Sequence, residues 1–540
     1  MCFVQVGLIP LVGSAEAVRS WLEVSAEAKR TKQRREAEAA QARLQGEGAA
    51  AMERIRTQVM KRIASGLPSS PEDLLVLERE LHQIAAREID AVVGAVIQEA
   101  HDSAAVQERA EELLRHHPHM RLQDKRQTVV VTLHGGSTVT IESPYYLERP
   151  PKKQGRPRGR GRRGKPGNGL YPGLAVLGIH FRVSPAVSSE LARLTVLTNA
   201  EAAVETLHLR GVKVDRKKLL RLTSHLAKRG LEYRAWLQEQ ASQGRKGHGR
   251  VTGKRLVIGT DGGRVRLRYR KSGRPRKSGR SGFVAKWKEP KVLVIYEIDD
   301  QGKRTKRGLL RYDATLQDAD GAFAILLAML MELGAHEAAE WIFVGDGAVW
   351  IWNRINDLVK AVGYDPNKVT QLVDWYHALE HLNKINDLLP RMGKKERKTW
   401  MKRLKTLLFN GDIDNLVAEI TARAKGRNAK AIKKLTPYFT TNRDRMQYKT
   451  FKARHLPLGS GAIESCVRRV INLRMKSNGI FWDPSNAEDI LHLRAQLLTG
   501  RWHSYIPTIL QPREFWTLNA SADPSPASTQ ANCGGLKRTA

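Results

Sequence analysis

Cysteine is almost absent from this chain. Three occur in 540 residues, Cys2, Cys466 and Cys533, with no two close enough to form a paired-ligand motif. That spacing excludes a disulfide framework and a cysteine zinc finger. A long apolar run is missing too: the longest helical one, Ala322 to Leu333, already contains Glu332 and is too short to span a bilayer. It predicts a core helix, not a membrane anchor. The first residues, MCFVQVGLIPLVG, are apolar without the basic leader of a secretory signal, so a reducing cytoplasm is the expected compartment. Acidic residues are also in deficit, 55 against 92 Lys and Arg, a formal charge of +37. So large a cationic surplus points to a polyanion, nucleic acid first, because each phosphate neutralised releases condensed counterions.

What is present divides the chain. Residues 1–120 read as a helical N-terminal region, with Pro71, Glu72 and Asp73 marking one helix start. It is expected to be either an oligomerising arm or a solvated helical bundle. Residues 121–150 switch to β-branched alternation around Gly135-Gly136, which predicts a hairpin. Residues 151–168 hold KKQGRPRGRGRRGK, which has no acid and cannot bury a core. Its GRPRGR centre resembles an AT-hook, so Arg156, Arg158, Arg160 and Arg162 are expected on DNA, a merely solvated linker being the alternative. Residues 169–245 turn helical again: Asn199 to Leu209, a break at Gly211, then Asp215 to Arg229 with Asp215 as N-cap. The pattern suits a helix-turn-helix-like DNA-binding domain with Arg221 on its reading face, or else a plain helical hairpin.

The chemistry centres on carboxylates. LVIGTDGG is an apolar strand that ends on Asp261, and WIFVGDGA delivers Asp346 to a glycine turn in the same way. Glu464 lies in GSGAIES, just inside a helix start. Taken singly, these are a turn aspartate, a helix cap and a first-turn acid beside Arg468; taken together, they form a candidate metal-binding triad. Beyond Asp261, Arg264, Arg266, Arg268 and Arg270 alternate with Val265, Leu267 and Tyr269, and a second Gly-Arg-Pro-Arg element carries Arg274 and Arg276. One wholly arginine strand face beside a carboxylate cluster suits a phosphate backbone.

Strands are predicted at 256–261, 264–270 and 291–298, followed by helix 320–334, strand 341–345, helix 349–362 and strand 369–373. That is the order of the RNase H-like fold. The expected fold is therefore multidomain α+β. Helical DNA-binding regions precede an RNase H-like α/β catalytic core at 246–374 and 458–502, which an all-α insertion at 375–457 interrupts. A tail occupies 503–540.

TDGG, VGDGA and GSGAIES, with Asp374-Trp375-Tyr376-His377 after the last strand, resemble the DDE transposases of bacterial insertion sequences, most closely the ISKra family. The likeness covers roughly residues 171–502. It implies that Asp261, Asp346 and Glu464 are catalytic and hold two Mg2+ ions, with Mn2+ able to substitute, while Asp374 and His377 lie behind them. It also implies double-stranded DNA as partner, both element ends and target, a homodimer or higher oligomer on that DNA, and a cytoplasmic, nucleoid-associated protein. An RNase H-like nuclease without strand joining and a non-catalytic DNA-binding regulator descended from a transposase are the alternatives. His377-Ala378-Leu379-Glu380-His381 matches the pattern of inverted zinc peptidases, but a peptidase leaves the arginines and the other carboxylates without a role.

Overall fold

A computed structural model describes residues 15–148, 168–270, 282–389 and 392–518. It is a mixed α+β chain in two compact units, one of Met1–Ser188 and Val204–Val214, the other of Ser189–Ala203 and Asp215–Ala540. Arg156, Arg158, Arg160, Arg162, Arg274 and Arg276 fall outside the described residues.

The first unit opens with two long helices, Ala15–Ala64 and Pro71–Asp102. They run antiparallel, and Arg–Glu pairs join them in step: Arg43 with Glu99 at 2.8 Å, Arg54 with Glu88 at 2.7 Å, and Arg62 with Glu80. The expected hairpin follows as β1 (Met120–Thr132) and β2 (Thr138–Glu148), with the short β3 (Gly169–Leu170) beside β2. Its turn is held by Asp90, whose carboxylate accepts from Gly135 N at 3.1 Å and Ser137 N at 2.9 Å. Val129, Val131, Leu133 and Ile141 make its small core with Leu174 and Ile179.

The second unit is built on a mixed five-stranded sheet. Its strands are β4 (Arg255–Gly262), β7 (Lys291–Ile298), β8 (Leu310–Thr315), β9 (Glu340–Gly345) and β10 (Val369–Val373), in the order β10-β9-β4-β7-β8. The three central and outer strands β4, β9 and β10 are parallel, and β7 runs antiparallel to both of its neighbours. The core helix Ala319–Leu333 starts where Asp318 accepts from Gly321 N and stops at Gly334, whose φ of 67° is left-handed. Such a stop suits glycine, which has no Cβ to clash.

Two sequence expectations are corrected here. The arginine strand, β5 (Val265–Arg270), is not part of the main sheet. It pairs with β6 (Phe283–Lys288) in a separate two-stranded ribbon, and the third sheet strand is β8. The helix that starts at Asp215 runs on to Ser242, past Gly230, and buries Leu226, Tyr233 and Leu237 in the core of the second unit. Arg221 is on its exposed face. The expected 169–245 domain is thus divided between the two units. Among the described residues of 375–457 there are helices and no strand, and no described helix is long and apolar enough to cross a membrane.

Candidate active site

Strand register sets the geometry. Gly259 on β4 pairs with Val344 on β9, and Gly345 pairs with Val373 on β10. Counting on from these pairs, Asp261, Asp346 and Asp374 stand level at the carboxyl ends of three adjacent parallel strands. Asp374 continues the ladder, its N donating to Gly345 O at 2.8 Å. Asp261 accepts from the Gly262 amide at 2.6 Å and Asp346 from the Ala348 amide at 2.9 Å, each through one oxygen.

Glu464 arrives on the short helix Gly461–Val467. Two glycines of the β4 segment let that region approach closely: a Cβ on Gly259 would lie 2.1 Å from Ile463 Cδ1, and one on Gly263 would lie 2.3 Å from Ile471 Cδ1. A π-helical turn, Arg468–Asn472, follows immediately, a distortion that recurs at functional sites in helices. Asp374 ties the two regions together. Its Oδ1 accepts from the Tyr376 and His377 amides, and its Oδ2 accepts from Ser460 N at 2.6 Å, while Trp375 N donates to Leu458 O at 2.9 Å. Ser460 Oγ in turn bonds Glu464 at 3.3 Å.

Asp261 and Glu464 line one open cleft of about 640 Å³ with Ser465, Arg468, Asn472 and Leu473. Asp374 is fully buried, Asp261, Asp346 and His377 are half-buried, and Glu464 is exposed. The cleft therefore opens to water on the glutamate side. Burial pushes the Asp261 carboxyl above its ordinary value, the Gly262 N–H opposes that rise, and the charges of Asp346 and Glu464 add to it while His377 works against it. An aspartate held against its own ionisation by burial and by the charges of two nearby carboxylates is a donor that a hard cation relieves.

The chain matches no known family model, and no curated protein gives a significant match.

The expected triad and the observed clustering differ in one respect. Among the described residues at this end of the sheet, the side chains whose ligand atoms lie within 4.8 Å of one another are Asp374, His377 and Glu464. Asp261 and Asp346 belong to the same electrostatic neighbourhood but not to that tight group. Both Asp374 oxygens are already engaged by backbone amides, so it acts as a tie between the β10 end and the glutamate helix. His377 faces Glu380 at 3.4 Å. His381 does not join the cluster; its ring stacks on Tyr438 at 3.7 Å, and burial lowers its basicity. Tyr438 itself donates to the Asp346 carbonyl at 3.0 Å and packs over Gly347. Sequence reasoning missed this support, for which no local signal exists.

The remaining acids near the C-terminal end of this unit have other work. Glu488 accepts from Arg234, Thr315 and Leu316, and Asp489 accepts from Ser224. A second His–Glu group, His248, His336 and Glu337, precedes β4 and β9 and so sits at the opposite end of those strands. Its carboxylate is taken up by His248, the Gly249 amide and Thr252.

The expected alternation around β5 is followed in part, since Tyr269, expected beside Val265 and Leu267, is exposed. Val265 and Leu267 are buried, Arg264, Arg268 and Arg270 are exposed, and Arg266 is half-buried and donates to Ser477 O at 2.8 Å.

Proposed function

We propose that the protein is a DDE-type DNA transposase, a metal-dependent polynucleotidyl transferase that cuts and joins the ends of its own insertion sequence. The observation that carries this reading is the level placement of Asp261 and Asp346 at adjacent parallel strand ends with Glu464 brought beside Asp261 in one cleft. The strand order β10-β9-β4-β7-β8, with the first strand central and β7 alone running against the other four, supports the reading of an RNase H-like core. The helices of 375–457 then form an insertion that returns the chain to the site. The charge of +37 and the exposed β5 arginines supply the surface for DNA. On this reading the protein works on the nucleoid in the cytoplasm as a dimer or larger assembly.

Asp261 and Asp346 are rigid because they end paired strands, and Glu464 adds a longer reach from the solvent side. Together they would hold two magnesium ions, for which manganese would substitute, and the ions would supply Lewis-acid stabilisation of the charge that develops in a phosphoryl displacement. Asp374 holds Ser460 and so fixes where Glu464 stands. His377 is favoured over His381 as the nearby imidazole, since among the described residues its ring nitrogen lies within 4.8 Å of ligand oxygens of Asp374 and Glu464 while His381 joins no such group. That separation also argues against a zinc peptidase, which needs both histidines of the helix on one ion.

The test is strand cleavage of DNA carrying the element's ends, with and without magnesium. Asp261→Asn, Asp346→Asn and Glu464→Gln keep shape but remove charge. Each should abolish cleavage and joining while leaving DNA binding intact, and double variants should be scarcely worse than singles because the three act as a unit. Near-normal magnesium-dependent cleavage by any one of them removes that residue from the site. Cleavage without joining in the unaltered protein would leave a nuclease.

A further inference from the structure

In the β5–β6 ribbon Arg266 stands opposite Trp287, Arg268 opposite Ala285, and Arg270 opposite Phe283. Directly opposed residues of an antiparallel pair project from the same face. The arginine face therefore also carries the aromatics. The other face is anchored by Val265 and Leu267, which are buried, and the free edge of β5 is held by Trp482, whose backbone bonds Arg268 N and Arg266 O at 2.8 and 2.9 Å. Every residue of β6 is exposed, with Trp287 at 57% and Phe283 at 47%.

The exposed face is ordered as ring, cation, ring. The Arg266 guanidinium lies 5.5 Å from the Trp287 ring centre and 4.8 Å from that of Phe481, and Phe481 is 5.3 Å from Phe283. Arg266 is itself pinned to Ser477 O. Flat hydrophobic rings held out in water beside exposed Arg268 and Arg270 make a surface that binds something both planar and anionic. Gly262 and Gly263 alone separate β4's Asp261 from Arg264, so Arg266 stands at most about 18 Å along the chain from the proposed site.

We propose that this ribbon is a stacking platform for unpaired nucleotides of a single DNA strand next to the cut. A duplex keeps its base faces stacked and offers only edges and phosphates, which arginines alone would satisfy; exposed ring faces have a partner only where bases are unpaired. The proposal rests on the transposase reading for its place in the reaction, but not for the binding itself.

The test is binding of a short fluorescent single-stranded DNA, and of the same oligonucleotide carrying 2-aminopurine, in EDTA so that no cleavage contributes. Trp287→Ala should weaken single-strand binding roughly 5- to 100-fold, abolish the quenching of 2-aminopurine, and leave duplex binding and the salt slope unchanged. Phe283→Ala should act in the same direction, and Trp287→Phe should restore much of the loss. Arg268→Ala should instead flatten the salt slope. Unchanged single-strand affinity in both alanine variants, equal losses on duplex, or tighter binding of the matching RNA overturns the proposal. Magnesium-dependent cleavage is read separately: cleavage with no ring effect overturns the ribbon alone, and a ring effect with no cleavage overturns the transposase reading alone.

Discussion

Gly259→Ala should test how the glutamate reaches the aspartates. A Cβ at this position would stand 2.1 Å from Ile463 Cδ1, 2.6 Å from its Cγ1 and 3.3 Å from Val344 O. Ordinary carbon contacts begin near 3.5 Å, so something must move by about 1.5 Å. Ile463 has little freedom to yield, being 2% exposed and β-branched within a helix, where one χ1 rotamer dominates. The movement therefore falls on the helix Gly461–Val467, one residue from Glu464. Overpacking of this kind costs about 1–3 kcal/mol, and a displacement of about 1 Å at a reacting group costs on the order of 10²-fold in rate. Urea unfolding would read the first and magnesium-dependent plasmid cleavage the second. Ile463→Ala removes both clashing atoms, so Gly259→Ala should cost much less in that background than in the native one. Equal costs in the two backgrounds would show that the glycine is not there to admit the helix.

Asp313 is held below its ordinary value because the charges of His492 and Arg234 outweigh a burial that acts against ionisation. A carboxyl with a lowered folded pKa stabilises the protein above its unfolded pKa and loses that contribution as pH falls toward the folded one. Asp313→Asn should cost about 3 kcal/mol near neutral pH, the lower range for breaking a buried pair, and the gap from the native protein should narrow as pH drops below about 4; a gap constant with pH in chemical unfolding would refute this. Replacing Arg264, Arg268 and Arg270 together by alanine should make the slope of log affinity against log salt shallower by up to about 2.7, since each neutralised phosphate contributes about 0.9. An unchanged slope would mean these arginines do not meet phosphate.

The strand-end aspartates were legible because an apolar run, an acid and a glycine carry their own local signal. Their being level was not, because register is set by pairing between distant segments. The strand β8 escaped notice since LRYDAT looks solvated, yet Arg311, Tyr312 and Asp313 are all buried. Asp313 is matched there by His492 at 2.9 Å and Arg234 at 3.5 Å. Gly230 looks like a helix end by composition. Within the structure it is a packing position, where a Cβ would meet Tyr505 Oη at 2.6 Å. The arginine alternation correctly signalled a strand but says nothing about which strand it joins, and its partner β6 supplies the rings that the arginine pattern alone leaves out.

The Asp374–Ser460 bond also has a bearing on timing. All five strands are present once Val373 has been synthesised, and the first two aspartates can then already be aligned. Ser460 and Glu464 emerge only after a long run of helices, and until they do the Asp374 carboxylate has no Ser460 amide to hold. Scaffold and chemistry are thus separated along the ribosome's output. A chain halted within those helices keeps the arginines and the sheet but lacks the glutamate; on the proposed function, such an incomplete copy would compete for DNA without the means to cut it.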